Sequence, residues 1–473
     1  MKKHTHKTEL VRGLGLTSAI MLVAGSMIGS GIFRKPATMA GQLLSPELLL
    51  IVWIAAGLIT FIGALANAEV AGMIDSTGGQ YVYFRHMYGD FLAFIYGWAV
   101  FAVIQTGSQA AIAYVFGEYT GYFLNFPHLP PEWIAFHFNI PLVGEIHPFF
   151  EFGPKAIAII SILFLTAVNY AGIIFGGFVQ TLVTFIKIGS IILLSFLLLA
   201  FGSGNIGNIY NGFQNMPVMN QSFISVIGLA LAGAFWAYDG WNNVTFVSGE
   251  VKNPSRNVPL GLLFGTLIVI VVYVLINIAY LYILPVSEMA KSKLVAADAA
   301  GKIFGSAGAA IISISVIISA FGALNGSLLS TARVHFAMAR DGLFFKNMGK
   351  IHPRFGTPHI SLVVQGLWSC VLVLSGTFDT ITDYVIFASW LFYMLGAFGV
   401  FILRKKMPDK PRPYKVWGHP YTTLLFVVFS FFFLINSVFS DSEDAAMGTL
   451  LIAAGLPVYY YWKLKQKKDK IPQ

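Results

Sequence analysis

The sequence contains almost no cysteine and little charge. Its single cysteine, Cys370, lies inside an apolar stretch of the 473-residue chain, which excludes a disulfide framework and a cysteine metal site. Charged residues make up only 11% of the chain, whereas they make up about 25% of an ordinary soluble domain. With 56% hydrophobic residues and a mean hydropathy of +0.73, the composition predicts a polytopic membrane protein.

Residue patterns that carry enzyme chemistry are also missing from the apolar stretches. They contain no paired carboxylates, no His-x-x-x-His arrangement and no glycine-rich phosphate loop with its lysine. We therefore expect neither an enzyme nor a bound metal or other cofactor.

The chain has a basic surplus, with 30 Lys and Arg against 21 Asp and Glu. The basic residues fall in short gaps between apolar stretches, which indicates membrane orientation rather than nucleic-acid binding. We expect both termini on the cytoplasmic side of the cell (inner) membrane. The few basic residues then assigned to outside gaps are Arg34, Lys35, Lys155, Lys291, Lys293 and Lys302.

Apolar stretches long enough to cross a bilayer, which takes roughly 20 residues, predict about twelve transmembrane helices. They occupy residues 13–41, 46–74, 89–124, 155–175, 178–202, 223–250, 260–284, 300–332, 360–376, 381–403, 420–439 and 446–462. The third and eighth are longer than one crossing needs. The outside gap 125–154 is rich in proline, which predicts an ordered surface cap and not a continuous helix.

Glycines interrupt the first and sixth stretches at matching places. Residues 25–31 read GSMIGSG, and residues 233–241 read GAFWAYDGW. A hydrocarbon core tolerates irregular backbone only where it lines a protected, wet cavity. Paired interruptions in two halves of a chain point to a transporter binding site.

The two interruptions also predict the domain organisation. Each half holds five spans, and an odd number of crossings inverts the second half relative to the first. We expect one transmembrane domain over 1–473, with repeats at 13–202 and 223–403 and two additional helices at 420–462.

The first interruption suits an anion. N–H groups near Ser30 and Gly31, together with the positive end of the following half-helix, would bind the carboxylate of an amino acid. A small-residue packing face built on Gly25 and Gly29 accounts for the same glycines, so the motif alone leaves both interpretations open.

The second interruption suits a cation. Unwound carbonyl groups around Phe235 to Tyr238 would accept hydrogen bonds from an ammonium group, with Trp236 closing over the bound molecule and Tyr238 in contact with it. Aromatic residues in an apolar helix are more often packing residues. Asp239 differs, because a charge at mid-membrane depth costs several kcal/mol unless it is solvated or paired.

Lys187 has apolar neighbours on both sides and needs a partner. It either crosses to the broken first helix in place of a bound cation, titrates and couples transport to protons, or snorkels to the headgroups. Glu69, Glu118 and Glu250 lie near span ends, where water or cations such as Lys252 would satisfy them as structural acids or conformational locks.

Several longer motifs carry a family resemblance over nearly the whole chain. They are GSGIF at 29–33, AE at 68–69, GGQYVY at 78–83, WAYDGWN at 236–242, EVKNP at 250–254, RNVP at 256–259, GALNGS at 322–327 and ARDG at 339–342. In these motifs the sequence resembles the amino acid–polyamine–organocation superfamily, and within it the L-type amino acid transporter family and its stand-alone prokaryotic members.

The resemblance implies an all-α, LeuT-like fold with a five-plus-five inverted repeat, broken helices 1 and 6, and two added helices. It implies sodium-independent exchange of L-amino acids by alternating access. Trp236 would be the gate, and Lys187 would stand in place of sodium. The substrate-binding residues it implies are Ser26, Ile28, Ser30, Gly31, Ile32, Phe235, Trp236, Tyr238, Asp239, Asn325 and Ser327.

The sequence departs from the family pattern at two places, and these differences affect the partners and substrates that we expect for this chain. Human light chains carry a cysteine between the third and fourth spans that bonds to a glycoprotein heavy chain. This chain has none there, so we expect no disulfide-linked heavy chain and a monomer with an L-amino acid and the lipid bilayer as its partners. Asp239 stands where many relatives have a small residue, so a cationic substrate side chain is a further hypothesis. A proton-coupled symporter and a non-transporting amino acid sensor remain as alternatives.

Overall fold

The computed structural model describes residues 12–469 apart from 75, 77, 127–128, 142–143, 172–176, 214–216 and 218–220. Most of it is helical. Those of the first half are α1 (Leu16–Met27), α2 (Gly31–Leu43), α3 (Pro46–Met73), α4 (Gln80–Tyr88), α5 (Asp90–Ala99), α6 (Gln105–Thr120), α7 (Pro131–Ile134), α8 (Phe152–Tyr170) and α9 (Gly177–Phe201).

The second half continues the helical bundle. Its helices are α10 (Gln221–Tyr238), α11 (Pro254–Ile283), α12 (Val286–Met289), α13 (Val295–Arg340), α14 (His359–Ser375), α15 (Phe378–Lys406), α16 (Tyr421–Ser440), α17 (Ser442–Ala453) and α18 (Gly455–Asp469).

Within the described residues, ten helical segments are long and apolar enough to cross a membrane. The shorter apolar helix α14 and the consecutive helices α17 and α18 match the two remaining predicted stretches. The predicted polytopic membrane fold is therefore confirmed.

Besides the interrupted first and sixth spans, two more depart from a plain helix. A π-helical turn at Val100–Ile104 joins α5 to α6 within the third span. The helix α13 has 46 residues and kinks at Gly305, where φ is +64°. As expected for the eighth stretch, it is much longer than one crossing needs.

The predicted cap is ordered over its described residues. Strands β1 (Phe138–Ile140) and β2 (Gly144–Ile146) form an antiparallel hairpin. Lys155 was assigned to an outside gap, but it is buried in the first turn of α8, and its ammonium donates to the carbonyl of His147 at 3.0 Å. This contact fixes the hairpin to α8. We call this side of the bundle the cap face and the opposite side, where residues 12 and 469 lie, the terminal face.

The first interruption separates α1 from α2 at residues 28–30, as predicted. The second begins later than expected, because α10 remains helical through Tyr238 and the chain leaves it at Asp239. The expectation of unwound carbonyls over Phe235 to Tyr238 was therefore wrong by about one turn. Apart from Gly233, residues 233–238 are good helix formers or aromatic, and the chain turns only at Gly240, where φ is +88°.

The two broken segments approach each other closely. A Cβ atom on Gly31 would lie 2.4 Å from Cα of Ala237, and one on Gly240 would lie 3.0 Å from the carbonyl oxygen of Ser26. Glycine is needed at both places, so the breaks form one packed unit between the two halves.

Replacing Gly31 by alanine tests this contact. We expect Gly31→Ala to lower stability by about 1–3 kcal/mol, the usual cost of overpacking, because the backbone of Ala237 blocks the added methyl group. The measurement is the apparent melting temperature in detergent. Gly29→Ala is the matched control, since its Cβ would meet nothing closer than 3.9 Å. Equal melting temperatures for the two variants would contradict the close approach.

Candidate functional site

A cavity lies between the two breaks. Of the predicted site residues, six line it: Ser26, Ser30, Gly31, Trp236, Asp239 and Ser327. Its volume is about 40 Å³, in a measure in which one water molecule needs roughly 10–15 Å³. In this conformation the cavity therefore fits a small polar molecule or a few waters.

Two predicted aromatic residues point away from the cavity. Phe235 packs on Trp390 with ring centroids 4.0 Å apart, and Tyr238 meets Trp53 edge-on at 5.8 Å. Both side chains are core residues in this geometry. Any contribution of theirs to the site comes from their backbone carbonyls.

The other predicted residues outside the cavity lining are Ile28, Ile32 and Asn325. Ile32 is fully buried in the core. The side-chain oxygen of Asn325 accepts a hydrogen bond from Asn169 at 2.8 Å, which joins α13 to α8. Ile28 is also fully buried, and its backbone carbonyl has a partner on another helix.

Lys187 reaches that carbonyl. Its side chain is 5% exposed, and its ammonium donates to the carbonyl oxygen of Ile28 at 3.2 Å. This geometry corresponds to the first of the three interpretations, a lysine of the fifth span that crosses to the broken first helix.

The first break presents donors without backbone acceptors. Among the described residues, no backbone carbonyl accepts from the N–H groups of Gly29, Ser30, Gly31 or Ile32, and the Ser30 hydroxyl is also unpaired and buried. These groups lie at the N-terminus of α2, where the helix dipole favours negative charge. The arrangement suits a carboxylate.

The second break presents acceptors. In the described part of the chain, no backbone N–H from outside α10 donates to the carbonyl oxygens of Phe235 or Tyr238. They lie at the C-terminal end of α10, where the dipole favours positive charge. This end of α10 suits an ammonium group.

Tyr273 joins the two breaks and was not predicted. Its hydroxyl lies 2.8 Å from the carbonyl oxygen of Met27 and 3.1 Å from that of Ala237. The residue is fully buried in α11, within an apolar stretch whose sequence gives no signal for this role.

A polar wall formed by α6 and α13 was also missed. Gln105, which follows the π-helical turn, accepts hydrogen bonds from Ser327 at 3.3 Å and Thr331 at 3.2 Å, and donates to Asn243 at 3.3 Å. π-Helical turns are frequent at functional sites. The turn was not recognisable from the apolar residues that form it.

Asp239 lies at the edge of the cavity and is partly buried. Its carboxylate accepts a hydrogen bond from the Tyr393 hydroxyl at 2.6 Å. The hydrogen bond stabilises one oxygen of the Asp239 carboxylate, because an unpaired charge in the membrane is energetically costly.

Trp236 lies below a cation–aromatic stack. Its ring meets Phe378 edge-on at 6.0 Å, and the Lys35 ammonium lies 5.2 Å from the Phe378 ring centroid on the cap-face side. Phe378 therefore separates Trp236 from the charges above it.

Those charges correct two expectations. Arg34 and Lys35 belong to helix α2 and not to an outside gap, and Lys35 is only 1% exposed. Lys35 pairs with Asp379 at 2.8 Å and Asp383 at 3.4 Å, while Arg34 lies 3.5 Å from Glu118. An ion-pair layer thus connects α2, α6 and α15.

Three carboxylates also form a group that was not predicted. Carboxylate oxygens of Asp383, Asp441 and Asp444 lie within 4.8 Å of one another beside this layer. Asp383 lies in α15, whereas Asp441 and Asp444 lie together at the start of α17, so the fold brings Asp383 to the other two.

Ion pairs also close the terminal face. Glu69 is 1% exposed and accepts from Arg404 at 2.9 and 2.7 Å. Glu250 pairs with Arg333 at 2.7 Å and not with Lys252, so the cation named for it was wrong. The cavity thus lies between two ion-pair layers.

Tyr81 adds a hydrogen bond on the terminal face. Its hydroxyl donates to Asp341 at 2.9 Å. Burial, followed by the neighbouring Asp341 carboxylate, raises the pKa of the Tyr81 phenol. The phenol therefore remains a neutral donor, and this links α4 to the end of α13.

Comparisons with known proteins agree with this geometry. The chain is 33% identical over 468 residues to the serine/threonine exchanger SteT of Bacillus subtilis, covering 98% of this chain and 99% of SteT. It is 30% identical over 467 residues to the b(0,+)-type amino acid transporter 1 of Mus musculus, covering 97% and 90% of the two chains. It is 32% identical over 464 residues to the large neutral amino acids transporter small subunit 2 of Mus musculus, covering 97% and 83%. Residues 14–461 match the model of the amino acid permease family, and the chain belongs to that family.

Proposed function

We propose that this chain is a sodium-independent exchanger of small L-amino acids that works by alternating access. The observation that carries the proposal is the pair of opposed helix ends. Ser30 and Gly31, with unpaired N–H groups at the start of α2, line the same cavity as Trp236 and Asp239 at the end of α10. An α-amino acid carries the matching carboxylate and ammonium groups one carbon apart.

Lys187 supports independence from sodium. Its ammonium holds the Ile28 carbonyl at 3.2 Å, so a fixed cation satisfies an oxygen of the broken helix that would otherwise suit a bound ion. No dissociable cation is then required at this position.

The two ion-pair layers support alternating access. The pairs of Lys35 with Asp379 on the cap face and of Glu69 with Arg404 on the terminal face each connect different helices. Opening either face requires one layer to separate while the other holds. We take the cap face as external and both termini as cytoplasmic, in a cell membrane.

The cavity supports a small and neutral substrate side chain. It is about 40 Å³ in volume, and its wall carries the hydroxyl of Ser327 and the amides of Gln105 and Asn243. A hydroxyl side chain would find both donors and acceptors there, in keeping with the substrates in the name of SteT. The same function requires no cofactor, no enzymatic step and no disulfide-linked heavy chain, and a monomer suffices for it.

Counterflow in proteoliposomes tests the proposal. Vesicles loaded with unlabelled L-serine should accumulate external labelled serine, and vesicles without internal amino acid should not. Replacing sodium by choline should leave the rate unchanged. Uptake into empty vesicles driven by a pH gradient would instead indicate a proton symporter, and binding without flux would indicate a sensor.

Lys187→Ala tests the fixed cation. Removing a charged donor from a buried carbonyl costs about 1.5–3 kcal/mol, so we expect at least a roughly ten-fold loss of serine exchange. Lys293→Ala is the control, because that side chain is 79% exposed and its exchange should be unchanged. Wild-type exchange in a folded Lys187→Ala protein would refute the assigned role.

Asp239→Gly tests whether the substrate range includes cationic side chains. If Asp239 receives such a side chain, the ratio of arginine to serine counterflow should fall about ten-fold, the worth of one charged hydrogen bond. Tyr393→Phe is the matched control, because it removes the partner hydroxyl and keeps the carboxylate. An unchanged substrate profile in Asp239→Gly would refute the hypothesis that Asp239 binds a cationic substrate side chain, and would leave the exchanger proposal unaffected.

A further inference from the structure

The cap hairpin carries two histidines and a glutamate on one side. Nε2 of His137 lies 3.8 Å from one carboxylate oxygen of Glu145, and Nε2 of His147 lies 3.3 Å from the other. The two imidazole ring centroids are 5.2 Å apart. None of these residues belongs to the cavity between the helix breaks.

The strand register explains why the three side chains meet. Phe138 pairs with Ile146, so His137 and His147 continue the ladder as the next opposed positions. Glu145 precedes His147 by two residues, and side chains two residues apart point to the same face of a strand. The grouping therefore follows from the fold of the hairpin.

The tautomer of His137 favours a cation between the side chains. Its Nδ1 lies 3.0 Å from the carbonyl oxygen of Ala135, and a carbonyl can only accept, so Nδ1 carries the proton. In the neutral ring Nε2 then points a lone pair toward the carboxylate of Glu145. Two such electron-rich atoms repel each other unless a proton, a water molecule or a metal cation lies between them.

This pattern is typical of metal ligands. Histidines that bind metals usually donate their other ring N–H to a carbonyl or carboxylate, which orients the ring. Two imidazoles and a carboxylate form a ligand set of zinc sites with one open position. We propose that His137, Glu145 and His147 form a binding site for Zn²⁺ or a similar late first-row divalent cation.

Metal binding requires the side chains to move closer together. Zinc bonds of about 2.0–2.1 Å place tetrahedral ligand atoms roughly 3.3–3.4 Å apart. In the conformation described, the three side chains do not place one ligand atom each within 4.8 Å of one another. The side chains are 47%, 53% and 40% exposed, so both rings are free to rotate toward a shared ion.

The backbone under the site is fixed. The buried Lys155 ammonium holds the His147 carbonyl at 3.0 Å, and the Ile146 side chain is buried between the two ligands of β2. A metal would therefore bind to a prearranged hairpin and stabilise the cap.

Calorimetric titration of the purified, tag-free full chain with Zn²⁺ in detergent tests the site. We expect one equivalent to bind with a rise in the apparent melting temperature, and no binding of Mg²⁺, which prefers oxygen ligands. His137→Ala and His147→Ala should each weaken Zn²⁺ binding at least about ten-fold, a loss of about 1.4 kcal/mol. Both residues lie on the surface, so gel filtration should show folded protein.

His352→Ala is the matched control. His352 and His359 form another histidine pair, with ring centroids 5.0 Å apart, that lies outside the cap. The control should bind Zn²⁺ like the wild type. Loss of binding in His352→Ala, no loss in the two cap variants, or no saturable Zn²⁺ binding at all would overturn the proposal, while serine counterflow would still test the exchanger independently.

Discussion

Backbone polar groups that leave a helix inside a membrane must find partners, and this constraint organises the whole molecule. Several carbonyls of the two breaks are satisfied by side chains of other helices. The Tyr273 hydroxyl lies within hydrogen-bond distance of the carbonyl oxygens of Met27 and Ala237, and the Lys187 ammonium donates to that of Ile28. The N–H groups at the start of α2 and the carbonyl of Tyr238 at the end of α10 have no such partners in the described residues. The unpaired N–H groups of Ser30 and Gly31 belong to residues that line the cavity.

Charge is distributed by the same rule. Ions are expensive in a bilayer unless they are paired, and the described ion pairs with a fully buried member gather in two layers at the ends of the cavity. Lys35 and Glu69 are each about 1% exposed and each meets its counter-ions on a helix distant in sequence. Breaking a buried ion pair leaves an unpaired charge in a low-dielectric environment, which is unfavourable. Each layer therefore opens only with a movement that exposes its charged side chains to water or brings them to new partners.

Glycine and charge made the main site predictable. The breaks were found because glycines cluster in an apolar stretch mainly where a helix unwinds or packs closely, and Asp239 and Lys187 were found because charge there is rare. Tyr273 and Gln105 were missed because a tyrosine or glutamine in a long span is ordinary until the helix rotation is known. The acidic cluster around Asp383 was not predicted because Asp383 lies in α15, while Asp441 and Asp444 lie at the start of α17.

The start of the second break was misplaced because residue type alone does not tell where a helix stops. Ala237 and Tyr238 continue α10 although they belong to the glycine-bounded motif, and the exit occurs at the positive φ of Gly240. Residue types predict that a break exists, while the contact with Ser26 decides its position.

The Lys187 contact has a thermodynamic consequence. A cation that is covalently part of the chain cannot dissociate on one side of a membrane and rebind on the other. The transport cycle therefore moves no ion across the membrane at this position, so the energy of an ion gradient cannot drive transport through it. A carrier built in this way exchanges one solute for another until the inside-to-outside concentration ratios of the two solutes are equal, but it cannot concentrate either solute by means of this site.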